Sequence, residues 1–216
     1  MEFIEVINHR HSTRKFLSKS IRNEELESII EEASRAPTWL NAQEHKIYVA
    51  KSSTVEAIHR EYQNQAAKGL IGVSDFTVVH RNEWSDQAQK NMKRFSSDME
   101  NHLGDRFGDF VESQDNLFSA PILIFLTLPK NSNQWAIMDL GAFEYGILLS
   151  ASNRGIGSIV SYSIVKYPAI IRKYLPISDD ENIAIGIALG YEDESHQINK
   201  FKSHRMRVAD ILTIKS

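Results

Sequence analysis

The sequence predicts a single domain that combines helices with strands. The chain has 216 residues, 42% of them hydrophobic and 25% charged, which is enough apolar material for a sizeable core. Several segments repeat apolar residues at helical spacing, and others are short apolar runs typical of buried strands. No internal repeat, low-complexity tract or linker rich in Pro, Gly and Ser interrupts them. We therefore expect one domain over residues 1–216.

Elements in the first half of the chain are predicted from apolar spacing and from helix end signals. Leu26, Ile29 and Ala33 recur at helical spacing, with Asn23 as the expected N-cap and Pro37 as the stop. The other elements predicted here are a short amphipathic helix over residues 1–7, a strand over 47–50, a helix over 53–67 and a short strand over 76–79.

The most distinctive predicted element of the second half is a helix over residues 135–153, which is apolar on nearly every side. Such a helix belongs in the middle of a domain or in a subunit interface, where Gly141, Ala142 and Gly146 would let a second backbone approach closely. The other elements predicted here are an amphipathic helix over residues 84–103, strands over 122–126, 158–163 and 183–189, and a helix with Pro168 in its first turn.

Charge and composition exclude several classes of function. The net charge is −3 and the pI is about 6.2, whereas domains that bind nucleic acids are usually basic. The absence of cysteine excludes disulfides, thiolate nucleophiles and Cys-based metal sites. The N-terminus is acidic where a signal peptide is basic, and the longest apolar run, residues 120–128, is shorter than the ~20 residues of a spanning helix. We expect a cytoplasmic protein with no nucleic-acid or membrane partner.

Sequence motifs for catalysis by side chains are missing. Gly155-Ile156-Gly157 lacks the third glycine of a dinucleotide fingerprint and follows a predicted helix, where the fingerprint follows a strand. The close pair His9 and His11 lies among cations that would repel a metal, and no serine has the setting of a nucleophile elbow. Any chemistry is therefore expected to come from a bound cofactor, without a metal.

Residues 10–14 are the strongest candidate for a binding segment. In an extended conformation Arg10, Ser12 and Arg14 point to the same side, because alternate residues share a face. Two guanidinium groups that flank a hydroxyl suit a phosphate or a carboxylate. The alternative interpretation is a solvated basic turn after the first helix.

Four pieces of sequence, spread over nearly the whole chain, form a larger pattern. They are Arg10-His11-Ser12-Thr13-Arg14-Lys15-Phe16, Ala36-Pro37-Thr38-x-x-Asn41-x-Gln43, Gly155-Ile156-Gly157-Ser158 and Lys202-Ser203-His204-Arg205. In order and rough spacing they resemble the FMN-dependent nitroreductase family. The resemblance implies an α+β nitroreductase-like fold, with a central, mostly antiparallel sheet flanked by helices and a helical excursion at about residues 81–118. It also implies a homodimer that binds two FMN molecules between its subunits.

The resemblance also implies roles for individual residues. The residues that match the first phosphate and ribityl contacts are Arg10, His11, Ser12 and Arg14, and those that match the C-terminal phosphate clamp are Lys202 and Arg205. The residues that match contacts from the partner subunit are Thr38, Trp39, Asn41 and Gln43. Approximate matches to ring contacts are Gln65 and Lys68, and the backbone near Tyr162 and Ser163 matches the segment that faces flavin N5. Without the resemblance, the loop of residues 38–43 would be interpreted as a turn that ends a helix.

The activity implied by the resemblance is a two-step, ping-pong transfer. NADH or NADPH gives hydride to flavin N5, and a nitroaromatic, quinone or related small acceptor then takes it, with no obligatory side-chain acid or base. The stripe over residues 84–103 is interpreted as core packing, or alternatively in part as a wall of the substrate channel.

Other functions remain open for the same fold. Glu44-His45 replaces the family's Pro-Trp, and Ser163 stands where the family has glycine. These departures motivate an alternative in which the protein is a flavin-binding reservoir, sensor or interaction module without reductase turnover. Members that dehalogenate iodotyrosine or fragment reduced flavin are a third possibility, although no lid signature for either is present.

Overall fold

The computed structural model describes residues 1–215 and contains seven α-helices and one four-stranded sheet within them. The helices are α1 (Phe3–His9), α2 (Asn23–Ala33), α3 (Ser53–Ala67), α4 (Asp86–Leu103), α5 (Gly108–Asp115), α6 (Gln134–Asn153) and α7 (Pro168–Tyr174). The strands are β1 (Lys46–Lys51), β2 (Ile122–Pro129), β3 (Gly157–Val160) and β4 (Glu181–Gly190). The predicted α+β architecture with an antiparallel central sheet flanked by helices is confirmed.

Strand β2 lies inside the sheet, whose order is β1-β2-β4-β3 with every pair antiparallel. Its side chains alternate between two cores, which explains why the sequence shows an uninterrupted apolar run there. Leu123 and Phe125 join the core beneath α3 and α7. Ile124 and Leu126 join the core beneath α2 and α6. Helices therefore cover both faces of the sheet.

Helix α6 has two different faces, although its sequence is apolar nearly all round. On the inner face, an added Cβ at Gly146 would lie 3.0 Å from Ala33 Cα, so this glycine lets α2 pack closely. On the outer face, a Cβ at Gly141 would meet nothing within 4 Å. Met138, 65% exposed, and Tyr145 flank that position. Burial in the core is thus observed for one face, and the predicted interface remains a prediction for the other.

Two helices begin at residues that differ from the prediction. Asn23 is the first residue of α2 and does not cap it, because its side-chain oxygen accepts a hydrogen bond from Lys51 Nζ. Helix α4 begins at Asp86, after Ser85, whose hydroxyl accepts a hydrogen bond from the Ala88 N–H at 3.4 Å. Trp84 therefore lies outside the helix and is exposed.

Two strand predictions are wrong in whole or in part. Residues 76–79 form no strand, because no neighbouring strand pairs with them in the described chain; Val78 and Val79 are exposed. The strand predicted over 158–163 ends at Val160. There the Ser161 hydroxyl accepts a hydrogen bond from the Ser163 N–H and turns the backbone into a short 3₁₀ segment.

The C-terminal half of α4 packs against the chain that follows the sheet. Met99 and Leu103 are buried in a small cluster with Ile198 and Phe201, and Phe95 lies against the Phe201 ring with 5.7 Å between centroids. For this half the observed role is core packing. The packing holds residues 198–201, which lead directly into the Lys202 to Arg205 motif.

Candidate functional site

A cationic cavity of about 420 Å³ lies between the segment after α1 and the C-terminal tail. The sequence-predicted residues that line it are Arg10, His11, Ser12, Arg14, Lys202 and Arg205. Tyr145 of α6 and the Phe201 ring complete part of the wall. Two sets of cations separated by almost 190 positions in sequence are thus brought to one cavity, as the motif pattern requires.

Arg14 is the most unusual group in this cavity. It is only 6% exposed, yet no carboxylate in the described chain forms an ion pair with it. Its Nη1 donates a hydrogen bond to the Ser12 carbonyl at 3.1 Å, and its guanidinium carbon lies 5.7 Å from the centroid of the Phe201 ring. Burial lowers the pKa of Arg14 to about 10. A buried cation without an anion is costly, so the site is suited to an anionic ligand.

His11 anchors the segment that carries Arg14. Its Nδ1 lies 2.9 Å from the His9 carbonyl oxygen and its Nε2 lies 3.0 Å from the Glu192 carboxylate, so the protonated ring donates to both. The hydrogen bond to Glu192 raises the pKa of His11 above its ordinary value, against the opposing effect of burial. Thr13 Oγ1 also donates to Glu192, at 3.4 Å. His11 therefore lines the cavity, but both of its ring N–H groups already donate to acceptors within the protein.

The Gly155-Ile156-Gly157-Ser158 motif at the start of β3 contacts the same segment at Ser12 and Thr13. The Thr13 N–H donates to the Ser158 carbonyl at 3.0 Å, and Ser12 and Ser158 form an isolated parallel bridge. An added Cβ at Gly157 would lie 2.5 Å from Thr13 Oγ1, so only glycine permits this approach. The role of this motif in the structure is therefore close backbone packing beside the cavity.

The loop of residues 38–43 lies elsewhere, beside the N-terminal half of α6. The Trp39 ring stacks on Trp135 at 5.0 Å between centroids, and the Trp39 N–H donates to Asp139 at 2.8 Å. Gln43 Nε2 donates to Asn41 Oδ1 at 2.8 Å, and both residues have left-handed φ values, 48° and 62°. Neither they nor Thr38 line the cationic cavity. One chain therefore does not bring this loop to the other predicted site residues.

The departure Glu44-His45 is accommodated by contacts next to this loop. The His45 ring packs on Phe143 at 4.2 Å between centroids, and burial lowers the pKa of His45. Glu44 accepts a hydrogen bond from the Ser132 hydroxyl at 2.9 Å. Both side chains thus fasten the loop to the region around α6.

The Tyr162 segment differs in one detail from the expected arrangement. The Ser163 N–H already donates to Ser161 Oγ, at 3.2 Å. The Tyr162 N–H has no acceptor among the described residues, and the Tyr162 side chain is 44% exposed. Between the two predicted donors, the one available to an external acceptor is therefore the Tyr162 N–H.

Gln65 and Lys68 lie at the C-terminal end of α3, close to that segment in the fold. One turn earlier, the Tyr62 hydroxyl donates to the Ile164 carbonyl at 2.6 Å. After the helix, the Tyr167 hydroxyl donates to the Leu70 carbonyl at 2.7 Å. Gln65 is half-buried and Lys68 is exposed. The structure thus brings this end of α3 beside residues 162–167.

Sequence reasoning missed the residues that support the cavity from behind. Glu192 binds His11 and Thr13, Asn199 binds the backbone at Arg14, and Phe201 contacts its guanidinium. Asn199 precedes the Lys202 motif by three positions, which is the only available hint of its location.

In the described part of the chain, no group of three His, Cys, Asp or Glu side chains is arranged to hold a metal ion. No described helix is long and apolar enough to cross a membrane.

Comparisons with known proteins agree with the motif pattern and the fold. The 4-nitrobenzoate reductase of Nocardioides sp. (strain LMS-CY) is 26% identical over 210 residues, which cover 91% of this chain and 83% of the relative. The FMN-dependent nitroreductase NfnB of Mycobacterium smegmatis, solved in complex with NADPH, superposes with a TM-score of 0.90 at 21% identity, over 100% of this chain and 99% of that one.

A second solved structure, the FMN and NADPH-dependent NfnB of sphigopyxis sp. strain HMH, also has a TM-score of 0.90, at 20% identity over 100% of both chains. These two likenesses establish the nitroreductase fold. The protein-family model described as "Nitroreductase family" matches residues 7–191 of the sequence, which is most of the chain. With its motifs, its fold and this match in agreement, the chain belongs to the nitroreductase family.

Proposed function

We propose that the protein is an FMN-dependent oxidoreductase that takes reducing equivalents from NADH or NADPH and passes them to a nitroaromatic, a quinone or a related small acceptor. The observation that carries the proposal is Arg14, a buried guanidinium without a carboxylate partner in the described chain, at the wall of a cationic cavity. A phosphate monoester supplies the missing anion. The relatives named above, whose names or titles include nitro compounds, FMN and NADPH, support the choice of cofactor and acceptor class.

The residues present fit the phosphate end of FMN. A guanidinium donates two parallel hydrogen bonds to phosphate oxygens, and both Arg14 and Arg205 line the cavity. Ser12 and Lys202 line the same space and add a hydroxyl and an ammonium donor. Lys202 and Arg205 are exposed, whereas Arg14 is buried, so Arg14 contributes the most per hydrogen bond.

At the other end, the Tyr162 N–H would serve as the hydrogen-bond donor to the flavin ring. When bound, FMN supplies a ring nitrogen, N5, that accepts hydride from a reduced nicotinamide and gives it to an oxidised acceptor. The protein's own task is to hold and shield the ring. Tyr162 donates through its backbone, and Gln65 and Lys68 at the end of α3 are placed beside that segment. No side-chain proton transfer is needed.

A homodimer completes the proposed site. The exposed apolar residues on the outer face of α6 are Trp135, Ile137, Met138 and Tyr145, and those on α1 are Phe3 and Ile4. An open position at Gly141 allows close approach of a second backbone on the α6 face. In this arrangement Thr38, Trp39, Asn41 and Gln43, which do not reach the cationic cavity of their own chain, contact the flavin held by the partner.

Anaerobic mixing of the purified protein with FMN and then with NADH or NADPH tests the proposal. We expect the yellow colour of bound flavin to bleach rapidly, and to return when a nitroaromatic or a quinone is added. Flavin that binds but stays yellow with both nucleotides would instead establish a binding module without turnover. Chelators should change nothing, because the proposed chemistry requires no metal.

A further inference from the structure

Asn199 is the most completely hydrogen-bonded buried polar side chain near the cavity. It is 1% exposed. Its Oδ1 accepts from the Arg14 N–H at 2.7 Å and from the Lys15 N–H at 3.1 Å. Its Nδ2 donates to the Lys15 carbonyl at 2.8 Å and to the Asp193 carbonyl at 2.9 Å. One amide thus satisfies four backbone groups from two distant parts of the chain.

The chemistry of these four bonds requires an asparagine. An aspartate accepts the two N–H groups but cannot donate to the two carbonyls. An apolar side chain leaves both N–H groups unsatisfied, while the carbonyls of Lys15 and Asp193 keep the hydrogen bonds they accept from the Asp193 N–H and the His196 N–H, each at 3.1 Å. The bonds fix the backbone at Arg14 and Lys15 against the turn after β4. Three residues further on, the same stretch of chain brings Lys202 and then Arg205 to the cavity that Arg14 lines.

We infer that Asn199 is a positioning residue that holds the Arg14 segment and the Lys202–Arg205 segment together at the cavity for a phosphate monoester, and that the preference of this protein for FMN over riboflavin depends on it. The inference rests on the proposed function, since it concerns the phosphate end of the same cavity. Asn199 itself does not line the cavity and so acts through Arg14 and the tail. Its loss weakens phosphate recognition and leaves the contacts at the ring end in place.

Dissociation constants for FMN and for riboflavin, measured by quenching of flavin fluorescence, test this inference. The ratio of the two constants reports the phosphate contribution alone, because the ligands share the same ring. We expect Asn199→Ala to reduce the FMN preference by about 10-fold or more, which corresponds to the loss of one charge-assisted hydrogen bond to the phosphate. Turnover per bound flavin should stay at the wild-type value. Ser195→Ala, which removes a hydrogen bond to Asp193 in the same turn, is the matched control.

The outcomes separate the two proposals. A wild-type protein that binds riboflavin as tightly as FMN would overturn the phosphate assignment itself. A wild-type preference for FMN that Asn199→Ala retains, even with a lowered melting temperature, would show that Asn199 is structural only and overturn the inference. If the alanine variant does not fold, Asn199→Ser, whose hydroxyl replaces part of the amide's bonding, is measured in its place. A smaller fall in preference, with riboflavin binding unchanged, is expected for it.

Discussion

The cationic cavity and the loop of residues 38–43 were predicted from the same motif pattern, but the folded chain treats them differently. The cavity is finished within one chain, where Arg14 is buried and its backbone is bound by Asn199. The loop remains exposed, with Asn41 and Gln43 bonded to each other and Trp39 stacked on Trp135. Contacts within the chain therefore position the cavity, whereas the loop would join the site only in the proposed homodimer.

The proposed homodimer would also account for the apolar residues on both sides of α6. Its inner face contributes to the core of its own chain through Phe143 and Ile147, and Gly146 permits the close approach of α2. Its outer face, around Met138 and Tyr145, is available to a second subunit. A helix with a single buried face would need only one apolar stripe.

The largest expected effect comes from placing a charge on the outer face of α6. Met138→Glu should convert the proposed homodimer to a monomer and release the flavin, because a carboxylate buried at an interface costs roughly 2–4 kcal/mol, or about 30- to 1000-fold in dimer affinity. Sedimentation at low micromolar concentration is the measurement, with about twice 24.7 kDa expected for the wild type. Val111→Glu, at an exposed apolar position on α5, is the control. A Met138→Glu protein that stays dimeric would contradict the assignment of this face.

A smaller effect is expected within the cavity. Arg14→Ala removes charge-assisted hydrogen bonds worth about 1.5–3 kcal/mol, so FMN affinity should fall roughly 10- to 100-fold. Because the phosphate end lies away from the reacting ring, turnover per bound flavin should change little, and excess FMN should restore the rate. Flavin titration followed by saturating assays gives both quantities. Arg205→Ala should show the same pattern with a smaller loss, since Arg205 is exposed. An Arg14→Ala variant that binds FMN with unaltered affinity would show that the FMN phosphate does not bind in this cavity.

The smallest expected effect is a pH dependence of the cavity's N-terminal wall. Because the hydrogen bond to Glu192 raises the pKa of His11 in the folded protein, protonation of His11 stabilises the fold. This contribution is fully present below the unfolded pKa of 6.5 and is lost as the pH rises through the raised folded value. We expect it to be about 1 kcal/mol.

Chemical denaturation at about pH 5.5 and about pH 8.5, on either side of the histidine range, measures this contribution. The stability difference between the two conditions should shrink in Glu192→Gln. Glu144, whose pKa burial raises to about 7, titrates in the same range in both proteins, so comparing them isolates His11. An identical pH dependence in the variant would mean that the contact between His11 and Glu192 contributes nothing to stability.

Several sequence expectations failed at places where a neighbour decided the outcome. Residues 76–79 have the β-branched composition of a strand but find no strand to pair with. The Ser163 N–H is a predicted donor to the flavin, but in the structure it donates to the hydroxyl of Ser161, two residues earlier. Asn23 had the chemistry of an N-cap, and its oxygen is bound by Lys51 from β1 instead.

The sequence by itself determined the helices and strands of the core, the two cationic motifs and the family, because apolar periodicity, residue chemistry and motif order are all properties of the linear chain. Only the tertiary structure decided that Arg14 is buried without a carboxylate in the described chain, that Asn199 and Glu192 hold its segment, and that the Tyr162 N–H is the open donor. These properties depend on which groups from distant segments meet in space. Burial and hydrogen bonding arise only when these segments pack together, so no single segment encodes them.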